Sequence, residues 1–203
     1  MDINLLVRRS TRKTKMVVLL SCAAVSVAAQ TPPVAHAMTV GTSPSSMPAI
    51  GRLNGDIPDS AVYLRYQGSG FSIEYVEGWL QTKAARSVAF TDKDSTVVAN
   101  IQRRLSGDLH GYVQQTDLAH LARTPGFHRG SLTRDAIGGY PAMHLTYRSL
   151  STPDVVTGKT VALQVDRYYI NGAHGLALLT LSSPLGVDNV DGFRRIAHSF
   201  RFR

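Results

Sequence analysis

Six histidines fall between residues 38 and 203: His110, His120, His128, His144, His174 and His198. Imidazole titrates near neutrality and binds metals, so their spacing is the first place to look for chemistry. None forms H-x-H, H-E-x-x-H or an i, i+4 pair, and no cysteine stands beside them. His110 and His120 lie close to three helical turns apart, which puts them on one helical face without a third ligand. The aspartate pairs of "DKDS" and "DNVD" lack the glycine and distal glutamate of a calcium loop, and read as turn and helix-cap chemistry. Glu74 and Glu77, the only glutamates, straddle a strand end and face opposite sides, which does not suit paired acid–base work. No G-x-S-x-G elbow is present, and "GSGFS" sits in a predicted hairpin. Gly138-Gly139-Tyr140-Pro141 has no phosphate-loop spacing, no lysine and no following helix. Its two glycines and a strand-opening proline predict a hairpin corner. No catalytic, cofactor or metal site is therefore expected, and a hydrolase hidden from these patterns is the remaining enzymatic reading.

Binding is the chemistry that is left. Tyr147, Arg148, Arg167, Tyr168 and Tyr169 bring together the two residue types most enriched in binding hot spots, and they are the expected contact surface. The same tyrosines also fit a core. Trp79, the single tryptophan, follows Gly78 just beyond a predicted strand, where an indole covers the open end of a core.

Short strands must carry these residues. Val62, Leu64 and Tyr66 alternate, as do Phe71, Ile73 and Tyr75, with Gln67–Gly70 as the turn between them. Val88 and Phe90 pair with Val97, Ala99 and Ile101 across a turn at Asp92-Lys93-Asp94. Asp108 caps a helix whose inner side holds Leu109, Tyr112, Val113 and Leu121. Strands follow at Ser131–Ile137, Ala142–Arg148, Lys159–Ile170 and Leu176–Ser182. The apolar phase of the third shifts after Asp166, and a bulge there is the expected cause. Asp188 caps a final helix with a stripe of Val190, Phe193, Ile196 and Ala197, and Phe200 and Phe202 flank Arg201 in a last short strand. The fold class is α+β: an antiparallel sheet with helices packed on it.

The chain begins with Arg8, Arg9, Arg12, Lys13 and Lys15 against Asp2, then the apolar run Met16–Ala29 and the small-x-small triplet Ala35-His36-Ala37. This order reads as a secretory signal peptide over residues 1–37 and implies export to the periplasm or outside the cell. An uncleaved anchor, or a lipid-bearing Cys22 in "LLSCAA", are the alternatives. Of the full net charge of +8, five cations and one anion lie in this segment, leaving +4 for the remainder. Those remaining cations are scattered along the sequence, and no nucleic-acid partner is expected. Met38–Ser60 is rich in Ser, Thr, Pro and Gly and reads as a linker, so residues 61–203 form one domain without a cysteine. About 140 residues can be stabilised by a core alone.

Several segments resemble the PsbP-like domains, the group of the photosystem II extrinsic subunit PsbP and its exported bacterial relatives. "FSIEYVEGWL" resembles the family's opening strand, with Val76 where the family commonly has proline. "IGGYPAMHLTYR" resembles its central strand, and "RYYINGAHGLALLTLSSP" with "FRRIAHSFRF" its closing strands and helix. The resemblance spans residues 61–203 and implies a PsbP-like sandwich, usually without catalysis. The leader, the flexible tether and the absence of a catalytic set point to an exported, non-catalytic module for a protein partner or a small apolar ligand at the envelope, with peripheral membrane association; the alternative, which the resemblance implies, is a calcium-related photosystem II subunit of the oxygen-evolving complex.

Overall fold

The computed structural model describes residues 55–203; the predicted signal peptide, Cys22 and the linker as far as residue 54 lie outside the described residues. Strands β1 (Tyr63–Gly68) and β2 (Phe71–Val76) form the predicted hairpin, and β10 (Arg201–Phe202) pairs with the other side of β2 in a three-stranded sheet. Seven further strands make a second antiparallel sheet: β3 (Leu80–Ala84), β4 (Ser87–Asp92), β5 (Ser95–Gln102), β6 (His128–Ile137), β7 (Tyr140–Leu150), β8 (Ala162–Gly172) and β9 (Gly175–Pro184). Their spatial order is β3-β4-β5-β9-β8-β7-β6. Hairpins join β3 to β4 to β5 and β6 to β7 to β8 to β9, and the one pair not joined in sequence, β5 with β9, is also antiparallel.

The helices are brief. Helix α1 (Leu109–Tyr112) runs through a π-helical turn (Val113–Asp117) into α2 (Leu118–Leu121), and α3 (Val190–His198) precedes β10. Asp108 caps α1 as expected, its Oδ2 accepting from the Gly111 N–H at 2.6 Å. The cap residue of α3 is Asn189 rather than the expected Asp188. The Asn189 amide is used elsewhere: its oxygen accepts from Ile57 N–H at 2.7 Å and its nitrogen donates to Gly55 O at 2.8 Å. Ser95 Oγ also donates to Gly55 O, at 2.7 Å. Residues 55–60, the end of the expected linker, are thereby laced to the domain, and Ile57 enters the core.

Strand alternation gives the long sheet two covered faces. One carries Val88, Phe90, Val97, Ala99, Leu179, Leu181, Tyr168 and Ile170 against the small sheet and α3. There Tyr75 stacks on Phe90 with ring centroids 4.3 Å apart, and Phe71 on Phe200 at 5.8 Å. The opposite face carries Met143, Leu145, Tyr147, Val165, Tyr169 and Leu178 under Val113, Leu118 and Leu121. Trp79 packs partly buried against the first core, where the sequence placed it.

The expected bulge is corrected. Strand β8 keeps an unbroken register with both neighbours, so no bulge follows Asp166. Its apolar phase shifts because Tyr168, Tyr169 and Ile170 are all buried, on faces that are both covered. The bulge lies in β6 between Arg129 and Leu132, where a Cβ on Gly130 would collide with Thr146. The Gly138-Gly139 corner is as predicted: φ is +61° and +83°, and Ile137 faces Tyr140 across the turn. No helix among the described residues is long and apolar enough to cross a membrane.

Candidate functional site

The five expected contact residues occupy neighbouring positions on β7 and β8 but do not share a face. Tyr147, Arg167 and Tyr169 point towards α1–α2, whereas Arg148 and Tyr168 point towards α3. Tyr147, Tyr168 and Tyr169 are buried, so the continuous tyrosine surface expected from the sequence is not formed. Adjacent residues on a strand project oppositely, which separates Tyr168 from Tyr169 at once. Of the five, only Arg148 is exposed.

On the α1–α2 face the three residues belong to a buried polar network. Asp117, brought inward by the π-helical turn, accepts the Tyr169 hydroxyl at 2.6 Å and Arg167 Nη2 at 3.2 Å. Arg167 Nη1 donates to Thr180 Oγ1 at 3.0 Å. Arg167 Nε stands 3.1 Å from Asp117 Oδ2 but is too poorly aligned to hydrogen-bond, so that contact is purely electrostatic. Burial alone would lower the Arg167 pKa; Asp117 and the flanking tyrosine oxygens outweigh it and hold the guanidinium above its ordinary value. Burial pushes the Tyr169 hydroxyl up, Arg167 opposes this, and the hydrogen bond to Asp117 adds to it. The network holds a helix on a sheet.

Towards α3, β6–β8 and the helix enclose a cleft of about 300 Å³ that the sequence did not single out. His144 Nε2 lies 2.6 Å from Asp166 Oδ1, and the His144 ring stacks on Tyr168 at 4.2 Å with its plane tilted by only 2°. His198 Nε2 reaches Asp135 Oδ2 at 3.3 Å, and Arg194 completes the wall. Burial raises the Tyr168 pKa, and Asp166 and Asp135 raise it further. His144 and Asp166 are 22 residues apart in sequence and meet because both project from this face of β7 and β8 one pair out of direct register. No pattern along the chain reports that meeting. Each histidine is engaged by its own aspartate, and no hydroxyl nucleophile other than the buried Tyr168 lines the cleft. Among the described residues no three His, Cys, Asp or Glu side chains converge to hold a metal ion.

The most exposed apolar residues lie instead in the loop between β7 and β8. Val155 is 98% and Val156 88% exposed. Asp154 Oδ1 fastens this loop, accepting from Val156 N–H at 3.1 Å, Thr157 N–H at 2.7 Å and Thr157 Oγ1 at 2.9 Å. Asp154 N–H donates to Lys159 O and Gly158 N–H to Asp154 O, at 2.8 and 2.9 Å. Those hydrogen bonds, Thr157 first, hold the Asp154 carboxyl below its ordinary value. Lys93, Asp94 and Lys159 surround the adjoining cleft of about 410 Å³. Val155-Val156 was missed in the sequence because two valines in a loop resemble any other apolar pair.

No protein-family model and no curated protein matches the chain. Among solved structures, cyanobacterial PsbP from Synechocystis aligns with a TM-score of 0.51 and 18% identity, over 75% of this chain and 100% of that one. The domain has the PsbP-like fold. The Ran-binding protein Mog1p of Saccharomyces cerevisiae aligns at a TM-score of 0.47 and 10% identity, over 70% of this chain and 95% of that one. LpqN of Mycobacterium tuberculosis, involved in cell envelope biogenesis, aligns at 0.44 and 14% identity, over 71% and 92%. Within the PsbP-like fold, the antiparallel sheets and packed helices expected from the sequence are all present.

Proposed function

We propose that this protein is an exported, non-catalytic binding module that engages a protein partner through the β7–β8 loop, with Arg148 beside it. The observation that carries this reading is the Val155-Val156 pair, held out in solvent by an internally hydrogen-bonded loop. An ordered loop that presents apolar side chains has already lost the conformational freedom that binding would otherwise cost. Arg148 opens into a groove of about 470 Å³ at the same end of β7, so one partner can bury the valines and reach the guanidinium. A protein suits the tip better than lipid tails, because Asp154 and Asp94 lie beside it and would resist entry into hydrocarbon. Export rests on the basic, apolar, small-x-small order of residues 1–37. The non-catalytic part is supported by the lining of the His144–His198 cleft, in which no serine, threonine or cysteine stands beside either histidine.

A photo-crosslinking residue at position 156 of the full chain, expressed in its native envelope, tests this. A discrete protein adduct is expected, and V155D should reduce it by about ten-fold while leaving the melting temperature unchanged. No adduct, or an adduct insensitive to V155D, overturns the loop as the contact. Recovery of the protein in cytosol with Met1 retained overturns export.

A further inference from the structure

We infer that the end of the domain opposite the valine loop is a docking face for an anionic phospholipid surface. Lys83, Arg86, Arg103, Arg104, Arg201 and Arg203 are dispersed over more than a hundred residues of sequence, yet the topology delivers all of them to one end. Ile101 N–H donates to Arg86 O at 2.8 Å, tying the β3–β4 turn to the end of β5. The Asn171 side chain bonds both Leu105 N–H and Leu105 O at 3.2 Å, which fixes the Arg103-Arg104 segment against the end of β8. Arg203 N–H donates to Gly70 O at 2.9 Å, and the Phe202 ring lies against Gly172. Three segments of the chain therefore open on one surface, and His174 joins them from the β8–β9 turn.

All six cations are exposed, and none takes part in an ion pair among the described residues. Two carboxylates on adjoining segments are committed elsewhere: Asp108 caps α1 and Asp135 pairs with His198. The other end carries most of the remaining carboxylates, interspersed with Lys93, Lys159 and Arg195. Asp56, Glu77 and Asp92 surround one cleft there, and Asp59, Asp188 and Asp191 another. A domain charged in this way turns its basic end towards a negative surface before any contact is made.

The shape of the patch selects the partner. It runs from the β3–β4 turn to the end of β8, four strand spacings or roughly 20 Å, and continues onto β10. That is too wide for a single phosphate and suits an extended surface. A protein interface needs a desolvated apolar centre. The large exposed apolar side chains, Val62, Leu64, Leu80, Leu150, Val155, Val156, Leu185 and Val190, all lie away from this end. Adsorption to lipid head groups needs no such centre; it needs several cations within a Debye length of the surface. Five of the six are arginines, whose planar guanidinium matches phosphate oxygens in pairs. This inference does not depend on the valine loop.

The test is sedimentation of the full chain with vesicles of phosphatidylcholine alone and of phosphatidylcholine mixed with phosphatidylglycerol. Residues 1–54 are common to every variant, so differences between variants report the basic end. Binding is expected to favour the anionic vesicles and to weaken as salt rises. R103Q/R104Q should weaken it by about 25-fold, and R201Q/R203Q, from a separate segment, by a similar factor. K93Q/K159Q, at the opposite end, should leave it unchanged. All these side chains are exposed, and an unchanged melting curve checks each variant. Anionic-vesicle binding that ignores both arginine pairs overturns the inference. So does retention on an acidic protein surface by a chain that does not bind the vesicles.

Discussion

On one face of the seven-stranded sheet, Phe90, Leu179 and Leu181 meet Tyr75 and Phe71 from a second sheet and Phe200 just before β10, with α3 closing the side. On the other, Met143, Leu145 and Leu178 meet Val113, Leu118 and Leu121 from one interrupted helix, with Tyr112 and Phe127 at its margins, and Asp117 and Arg167 are buried among them. The first face is fixed by area and ring geometry. On the second, a directional polar network set among the apolar contacts supplies the register. Non-directional burial tolerates sliding, whereas an aspartate reaching both Arg167 and Tyr169 does not.

The largest effect should come from the aromatic face. Phe90→Ala removes a ring that touches both sheets and should cost about 3–5 kcal/mol in urea unfolding. Asp117→Ala should follow at about 3 kcal/mol, because it strands a buried guanidinium. The double change Asp117→Leu with Arg167→Met sharpens the contrast. It should return stability to within about 1 kcal/mol of the parent, but with broadened amide resonances over residues 109–121, since what it removes is positional definition. A double variant as sharply resolved as the parent would show that the apolar contacts alone set the helix.

Both faces carry tyrosines whose pKa burial has raised, Tyr168 on one and Tyr147 and Tyr169 on the other. A group with a raised folded pKa contributes stability that is complete below its ordinary value of 10.0 and is lost as pH rises through the folded value. Alkaline titration should therefore show these phenolate bands only as the domain unfolds. The smallest effect is local. The Asp154 carboxyl is lowered below 3.8, so the loop's order persists above that value and fades as pH falls through the lowered one. The Val156 and Thr157 amide shifts should follow that change while the core resonances stay fixed.

Much of the framework was legible in the sequence. Period-two runs located the β1–β2 and β4–β5 hairpins and all four later strands to within a few residues, and two glycines before a proline located the Gly138-Gly139 corner. Strand β3 was not legible, because "LQTKA" is an exposed edge segment with no buried face to leave an apolar alternation. Tyr168-Tyr169 misled for the opposite reason: a strand covered on both sides loses its alternation, which mimics a bulge. The site was less legible than the fold. The tyrosines and Arg167 were noticed for their types, but burial follows from which face each occupies. The His144–Asp166 pair and the gathering of six cations arise from strand order, which no local pattern encodes.

The two outer strands of the long sheet bear on how the protein behaves in concentrated solution. Strand β3 is five residues long and carries Lys83, and β6 is bent out of line at Gly130. A second molecule extending either border would meet a charge on one side and a kink on the other. The sheet is thus closed to lateral growth without being rolled into a barrel, and dense preparations of the domain should resist fibre formation.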